Sequence, residues 1–183
     1  MNLLFIGDVV GQSGCDFLES RMYKLKREYD IDVTVVNGEN SAQGNGITPQ
    51  SYRQLLNMGA DVVTTGNHSF RRREAEDLYD TNEQLLRPAN YPEGVMGHGV
   101  TYIDMCPYKI AVVNLMGTMY MEAVENPFNY VDKLLESIDT PNIIVDFHAE
   151  ATSEKKAMGF YLQKRCTAVL GTHTMFRRPM KRS

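Results

Sequence analysis

The chain has 183 residues, of which 43% are hydrophobic and 23% charged, and a formal net charge of -4. That length supports one sizeable core, the composition excludes disorder along the whole chain, and the acidic balance gives no global footprint for nucleic acid. No stretch approaches the ~20 apolar residues that cross a bilayer, and Leu3 to Ile6 lacks the flank and length of a signal core; the expectation is a cytoplasmic protein without membrane contact. Cys15, Cys106 and Cys166 are scattered, form no C-x-x-C pair, and read as small core or surface residues in a reducing compartment.

In chain order, short β-branched runs stand at Leu3 to Ile6, Val33 to Val36, Asp61 to Thr65, Ile143 to Val145 and Ala168 to Leu170. Bursts this short, bounded by Gly, Asn and Asp, predict strands buried on both faces. After the first, Phe17, Leu18, Met22, Leu25 and Tyr29 are spaced as one helical face. A second helix fits Thr48 to Met58, with Thr48 as N-cap and Pro49 at its first position, and a third fits Ser153 to Gln163 with Ser153 as cap. Between them Val100 to Ile103 and Lys109 to Asn114 flank Cys106-Pro-Tyr108, the pattern of a hairpin entering a second sheet. Strand and helix alternation predicts a layered α/β fold in one domain.

Each predicted strand ends in a polar cluster. These are Gly7-Asp8, Asn37-Gly-Glu-Asn40, Gly66-Asn67-His68, Asp146-Phe-His148 and Gly171-Thr-His173. Carboxyl ends of parallel strands share one edge, where ligands bind, so five strands aim carboxylates, amides and imidazoles at one place. Taken singly, Asp8 reads as a cap or loop hydrogen-bonder, Glu39 as turn chemistry, His68 and His148 as imidazoles satisfied by carbonyls, and His98 as a loop residue. Together they supply oxygen and nitrogen donors without thiolate, a set suited to Mn, Fe or Zn. A carboxylate bridging two ions would make a two-metal centre that activates water and clamps a phosphoryl group.

The strings Phe5-Ile-Gly-Asp-Val-Val-Gly11, Val36-Asn-Gly-Glu-Asn40, Gly59-Ala-Asp-Val-Val-Thr-Thr-Gly-Asn-His68, Arg87-Pro-Ala-Asn90 and Asp146-Phe-His-Ala-Glu-Ala-Thr-Ser-Glu-Lys155 resemble the calcineurin-like metallophosphoesterases, in their bacterial YmdB-like branch. The resemblance covers residues 1 to 174 and implies a four-layer α/β/β/α sandwich of two mixed sheets, incomplete at the C-terminus. It further implies a dinuclear centre of Fe or Mn, with Zn as an alternative, and hydrolysis of phosphodiesters, cyclic nucleotides being the substrate class. Carried over residue by residue, the metal positions fall on Asp8, Glu39, Asn40, Asn67, His148 and His173, with Glu39 bridging and His68 as general acid. Homo-oligomer assembly stays open.

The family pattern continues Thr-His-Thr-His-Val-Gln-Thr-Ala-Asp-Glu, whereas this chain reads Thr172-His-Thr-Met-Phe-Arg-Arg-Pro-Met-Lys181. Codons CAT GTT CAG ACG GCC GAT GAA, read after loss of the first base, become ATG TTC AGA CGG CCG ATG AA, which encodes Met-Phe-Arg-Arg-Pro-Met and opens a Lys codon. The expectation is a metallophosphoesterase domain over 1 to 174 and a frameshifted tail over 175 to 183. Met175 then stands where the resemblance places a second histidine, and a thioether is a poor substitute for imidazole on Mn or Fe; one metal site is expected to survive and one to be weakened. Arg177, Arg178, Lys181 and Arg182 read as a solvated end, and Arg71 to Arg73 as a solvated helix start beside His68. Two alternatives to an impaired hydrolase follow: a nucleotide-binding or regulatory module with little turnover, and a nonfunctional truncation product.

Overall fold

A computed structural model gives the architecture of residues 1–174; Met175 and the basic tail lie outside the described residues. The order is β1 (Leu3–Ile6), α1 (Gly11–Glu28), β2 (Val33–Asn37), α2 (Pro49–Asn57), β3 (Val62–Thr64), α3 (Glu76–Thr81), β4 (Leu85–Leu86), β5 (Val100–Asp104), β6 (Lys109–Met116), α4 (Pro127–Ser137), β7 (Ile143–Ala149), α5 (Thr152–Tyr161) and β8 (Ala168–His173). The five sequence-predicted strands, the 48–58 helix and the hairpin are all present, the latter as antiparallel β5 and β6.

These strands form two four-stranded sheets, β1-β2-β3-β4 and β5-β6-β7-β8. Every neighbour pair of the first sheet is parallel, so only the second sheet is mixed, against the expectation of two mixed sheets. The reason lies in the connections. Each link between successive strands of the first sheet passes through a helix, which returns the chain in the same direction, whereas the short turn from Asp104 to Lys109 can only reverse it.

Three apolar clusters hold the elements. One packs Cys15, Leu18 and Met22 of α1 and Tyr52 and Leu55 of α2 against Val36 and Val63 on the first sheet's helix-bearing face. A second packs Val131 of α4 and Met158 of α5 against Val113, Val145 and Phe147. The third lies between the sheets, joining Val33, Val35 and Val62 to Ile110, Val112 and Ile144. Side chains alternate along a strand, so Val35 enters the inter-sheet cluster while Val36 faces the helices.

The expectation of strands buried on both faces holds for β2, β3 and β7 but fails for β1 and most of β8, which are half-buried. Both are the terminal strands of their sheets in the described residues, so one flank has no neighbouring strand. On α1 the buried positions are Cys15, Leu18 and Met22, while Phe17 is 66% and Tyr29 59% exposed. Phe17 sits one position off the buried stripe, and Tyr29 is already the C-cap. Thr48 caps α2 in a full capping box with Ser51. Ser153 does not cap α5: the helix begins at Thr152 after an uncapped Ala151.

Candidate metal centre

The polar clusters at the ends of β1, β2 and β3 meet those of β7 and β8 across the inter-sheet layer, so the five strand ends come from two sheets. The register of β7 and β8 pairs His148 with Thr172 and Ala149 with His173. His173 takes up the left-handed backbone region with φ 84°, uncommon for a non-glycine residue, as the chain leaves its sheet.

Four donor atoms converge. His148 Nε2 lies 3.1 Å from Glu39 Oε2, 3.1 Å from Asn67 Oδ1 and 3.1 Å from His173 Nδ1. Ligand atoms of Glu39, His148 and His173 all fall within 4.8 Å of one another. Glu39 and His148 are fully buried, and Asn67 and His173 partly so. Two oxygens and two imidazole nitrogens crowded around one point leave lone pairs facing lone pairs, a conflict that a proton or a cation resolves. The space is kept open by Gly66: a Cβ at that position would run into the Glu39 carboxylate and the His148 ring.

Asp8 and Asn40 stand on the other side of Glu39. Asn40 Nδ2 donates to Glu39 Oε1 at 3.1 Å and to Asp8 Oδ2 at 3.4 Å, while Asp8 Oδ1 is buried without a hydrogen-bond partner among the described residues. An orphaned buried carboxylate oxygen is costly unless a cation or proton meets it. As placed, Asn40 offers nitrogen to the carboxylates and its Oδ1 to His68 Nδ1, 2.9 Å away. A ligand role for Asn40 requires that amide to turn over, which would break the bond to His68.

The electrostatics point the same way. Burial, opposed by His148 and reinforced by Glu39 and Asp146, pushes the Asp8 carboxyl up to about 7. Burial also works against charge on Glu39, but the hydrogen bond and proximity of His148 outweigh it and hold Glu39 below the usual carboxylate range. For His148 burial disfavours the imidazolium, yet Glu39 prevails and raises its pKa; for His173 burial and then the neighbouring His148 lower it. Excess carboxylate in a dry site is what a divalent cation balances.

His68 adjoins this cluster, 26% exposed, with Nδ1 held by Asn40 and 3.3 Å from Glu39 Oε1. Nε2 is the ring nitrogen that Asn40 does not engage. His98, by contrast, bonds the Glu83 carbonyl at 3.0 Å away from the cluster, as its loop position suggested. The three cysteines are free, with only Cys15 buried. Arg71 and Arg73 are exposed, and Arg72 binds the Asn45 carbonyl at 3.0 Å and that of Gln43, so this basic triplet serves the surface and one loop. The expectation for Met175 lies outside the described residues.

Two further residues adjoin the donors: Glu150, which sequence reasoning does not single out, and Asp146, which it places in a strand-end cluster without giving it a role. Glu150 Oε2 lies 2.9 Å from His173 Nε2, occupying the ring nitrogen turned away from Glu39. Asp146, fully buried, touches Thr64, Asn37 and Thr172. The available signal was period 2: Asp146, His148 and Glu150 alternate along and just past β7.

A sequence model of the family described as YmdB-like protein matches residues 4–177. The chain belongs to the YmdB-like family. It is 46% identical over 176 residues to a Bacillus subtilis protein named 2',3'-cyclic-nucleotide 2'-phosphodiesterase, covering 95% of this chain and 67% of that one. A crystal structure of a hypothetical protein from Thermus thermophilus superposes with TM-score 0.89 and 38% identity, over 98% of this chain and 72% of that chain. A structure titled as a novel phosphatase from Mycoplasma pneumoniae gives TM-score 0.89 and 32% identity, over 94% and 63%. The chain spans about two thirds of the length of the curated relatives it matches. Its relatives are named phosphodiesterases and phosphatases, hence hydrolases. No helix among the described residues is long and apolar enough to cross a membrane.

Proposed function

We propose that the chain carries the metal-dependent phosphodiesterase centre of this family, with cyclic nucleotides or related small phosphodiesters as substrates, in a cytoplasmic four-layer α/β/β/α sandwich. The observation that carries this reading is the meeting of Glu39 Oε2, Asn67 Oδ1, His148 Nε2 and His173 Nδ1 around one point. That donor set fits Mn, Fe or Zn. Glu39, Asn67, His148 and His173 would hold one ion; Asp8, Asn40 and the second oxygen of Glu39 would hold another, for which one further carboxylate and one amide are at hand among the described residues. Bound ions supply an activated water and positive charge against the phosphoryl oxygens.

The chain's own residues have separable tasks. Glu39 would bridge: Oε1 lies 3.1 Å from Asn40 Nδ2 and 3.3 Å from His68 Nδ1, while Oε2 lies 3.1 Å from His148 Nε2. His68 holds a proton at Nε2 for the departing alkoxide while Nδ1 stays on Asn40. The substrate class follows the name of the Bacillus subtilis relative. A second reading, a nucleotide-binding module with little turnover, draws on the sparse donors around Asp8. Hydrolysis of a 2',3'-cyclic nucleotide by the full chain in added Mn2+, set beside calorimetric binding of the same nucleotide, separates the two. Metal-dependent turnover supports the hydrolase; binding without turnover replaces it with the module; neither one sinks both.

A further inference from the structure

The loop that follows β6 opens beside the candidate centre and is pinned at both ends and in its middle. The register sets Met116 against His148, and the Gly117 amide donates to the His148 carbonyl at 2.9 Å. A Cβ at Gly117 would run into the Glu154 carboxylate and Ala149, so glycine lets the chain pass close to both. The Glu154 carboxylate, 6% exposed, takes the Thr118 amide at 2.9 Å on Oε1 and the Met119 amide at 3.4 Å on Oε2. Buried Asn90 closes the neck: its Nδ2 donates at 2.8 Å to the carbonyls of both Met116 and Glu125, and its Oδ1 accepts from the Met116 amide at 2.9 Å. Midway, Met121 Sδ accepts from the Glu150 amide at 3.2 Å, and Glu150 Oε2 is the atom that meets His173 Nε2. A compact loop with tied ends frequently carries function.

One residue of this loop stands clear of the protein around it. Tyr120 is 86% exposed among the described residues and holds φ at 63°, a backbone region uncommon for an aromatic residue. The anchors on Thr118, Met119 and Met121 flank it, so the exposed ring is carried on a fixed base. The mouth of the centre adjoins it. Two residues past His68, Phe70 meets Tyr91 edge-on with ring centroids 5.6 Å apart. The Tyr91 phenol lies close enough to feel both Glu122 of the loop and Glu39 of the centre: burial, then these two carboxylates, against Arg87, push it up to about 12. An aromatic ring offers a nucleobase a stacking surface whatever the base, because every base has a π-face. Tyrosine does so at low conformational cost, with two side-chain torsions to fix. We propose that Tyr120 is a specificity-determining residue, held by loop 117–125 to stack on the nucleobase of a nucleotide whose phosphate sits at the centre. This rests on the reading that the centre takes cyclic nucleotides.

The test compares two compounds with the full chain in added Mn2+: adenosine 2',3'-cyclic phosphate, and methyl riboside 2',3'-cyclic phosphate, in which a methoxy group replaces the base. The readout is the ratio of their kcat/KM values. Wild type should favour the nucleotide, and Tyr120→Ala should cut that preference roughly 5- to 100-fold, chiefly through KM. Tyr120→Phe, which keeps the aromatic face, should retain most of it. A merely structural role for Tyr120 moves both compounds together and leaves the ratio alone. A wild type without preference, or an unchanged ratio in folded Tyr120→Ala, overturns the proposal while the phosphodiesterase reading stands. If wild type turns over neither compound, the phosphodiesterase reading falls and calorimetry of the same two compounds in Mn2+ decides this one. Tighter binding of the nucleotide that is lost in Tyr120→Ala then upholds the stacking; equal affinities, no binding, or a preference that survives Tyr120→Ala overturns it.

Discussion

The two sides of Glu39 are built differently. On one side, His148 Nε2 lies 3.1 Å from Glu39 Oε2 with Asn67 Oδ1 and His173 Nδ1 beside it, His148 being backed by Thr172 and Asp146 and His173 by Glu150. On the other, Asp8 has one orphaned oxygen and Asn40 turns its nitrogen inward, with its carbonyl oxygen spent on His68. The first side holds several pre-aimed donors with their outer partners in place; the second must rotate an amide before it offers comparable ligands. Preorganised donors lose less on binding, so the two ions should differ in affinity, with the tighter one on the histidine side.

The sharpest break of this comparison comes from Glu39→Gln and His148→Ala, which should both strip the tight ion, with at least ~100-fold loss of metal affinity, beyond what an outer partner contributes. Asp8→Asn should leave that ion in place and weaken only the second. Equal losses in His148→Ala and Asp8→Asn, read by metal analysis after dialysis, would erase the asymmetry. His68→Ala should lower turnover by ~10²–10⁴ while bound metal stays at the wild-type level; a loss of metal would move His68 from proton donor to ligand. Glu150→Gln should weaken the tight ion by roughly 10-fold, through His173 alone, and an unchanged chelator titration would make the Glu150 contact incidental. Smallest is Thr48→Ala, which removes the α2 capping box far from the donors; it should cost ~1 kcal/mol in denaturant unfolding and nothing in metal affinity.

Much of this is legible in the chain because buried strands advertise themselves: Val33 to Asn37 and Ile143 onward are apolar runs cut off by side chains with something to bind. The capping pair Thr48-Pro49 likewise marks the start of α2. Other features leave weaker traces. The sequence reading has no α4, although Asn126 caps it by accepting from Phe128 and Asn129 and Pro127 opens it, and β4 is two residues long, too short for any periodicity. Phe17 falls off the buried stripe because a helix face read from spacing alone can be rotated by one residue, and Tyr29 because the helix ends before it. The division of strands between two sheets depends on which faces meet, which the residues of one strand do not specify. At the site, the strand-end residues are recoverable one by one, but the Thr172–Asp146 hydrogen bond links side chains 26 positions apart on the neighbouring strands β7 and β8, and only the folded chain brings them together.

The most direct test of the asymmetry is a titration of the metal-free full chain with Mn2+ or Zn2+, with stoichiometry and affinity read by calorimetry and the retained ion counted by elemental analysis after dialysis. The predicted result is one ion per chain that survives dialysis and is lost in His148→Ala, with any second ion weaker and lost first. Two ions of equal affinity, or a retained ion that survives His148→Ala, would contradict it.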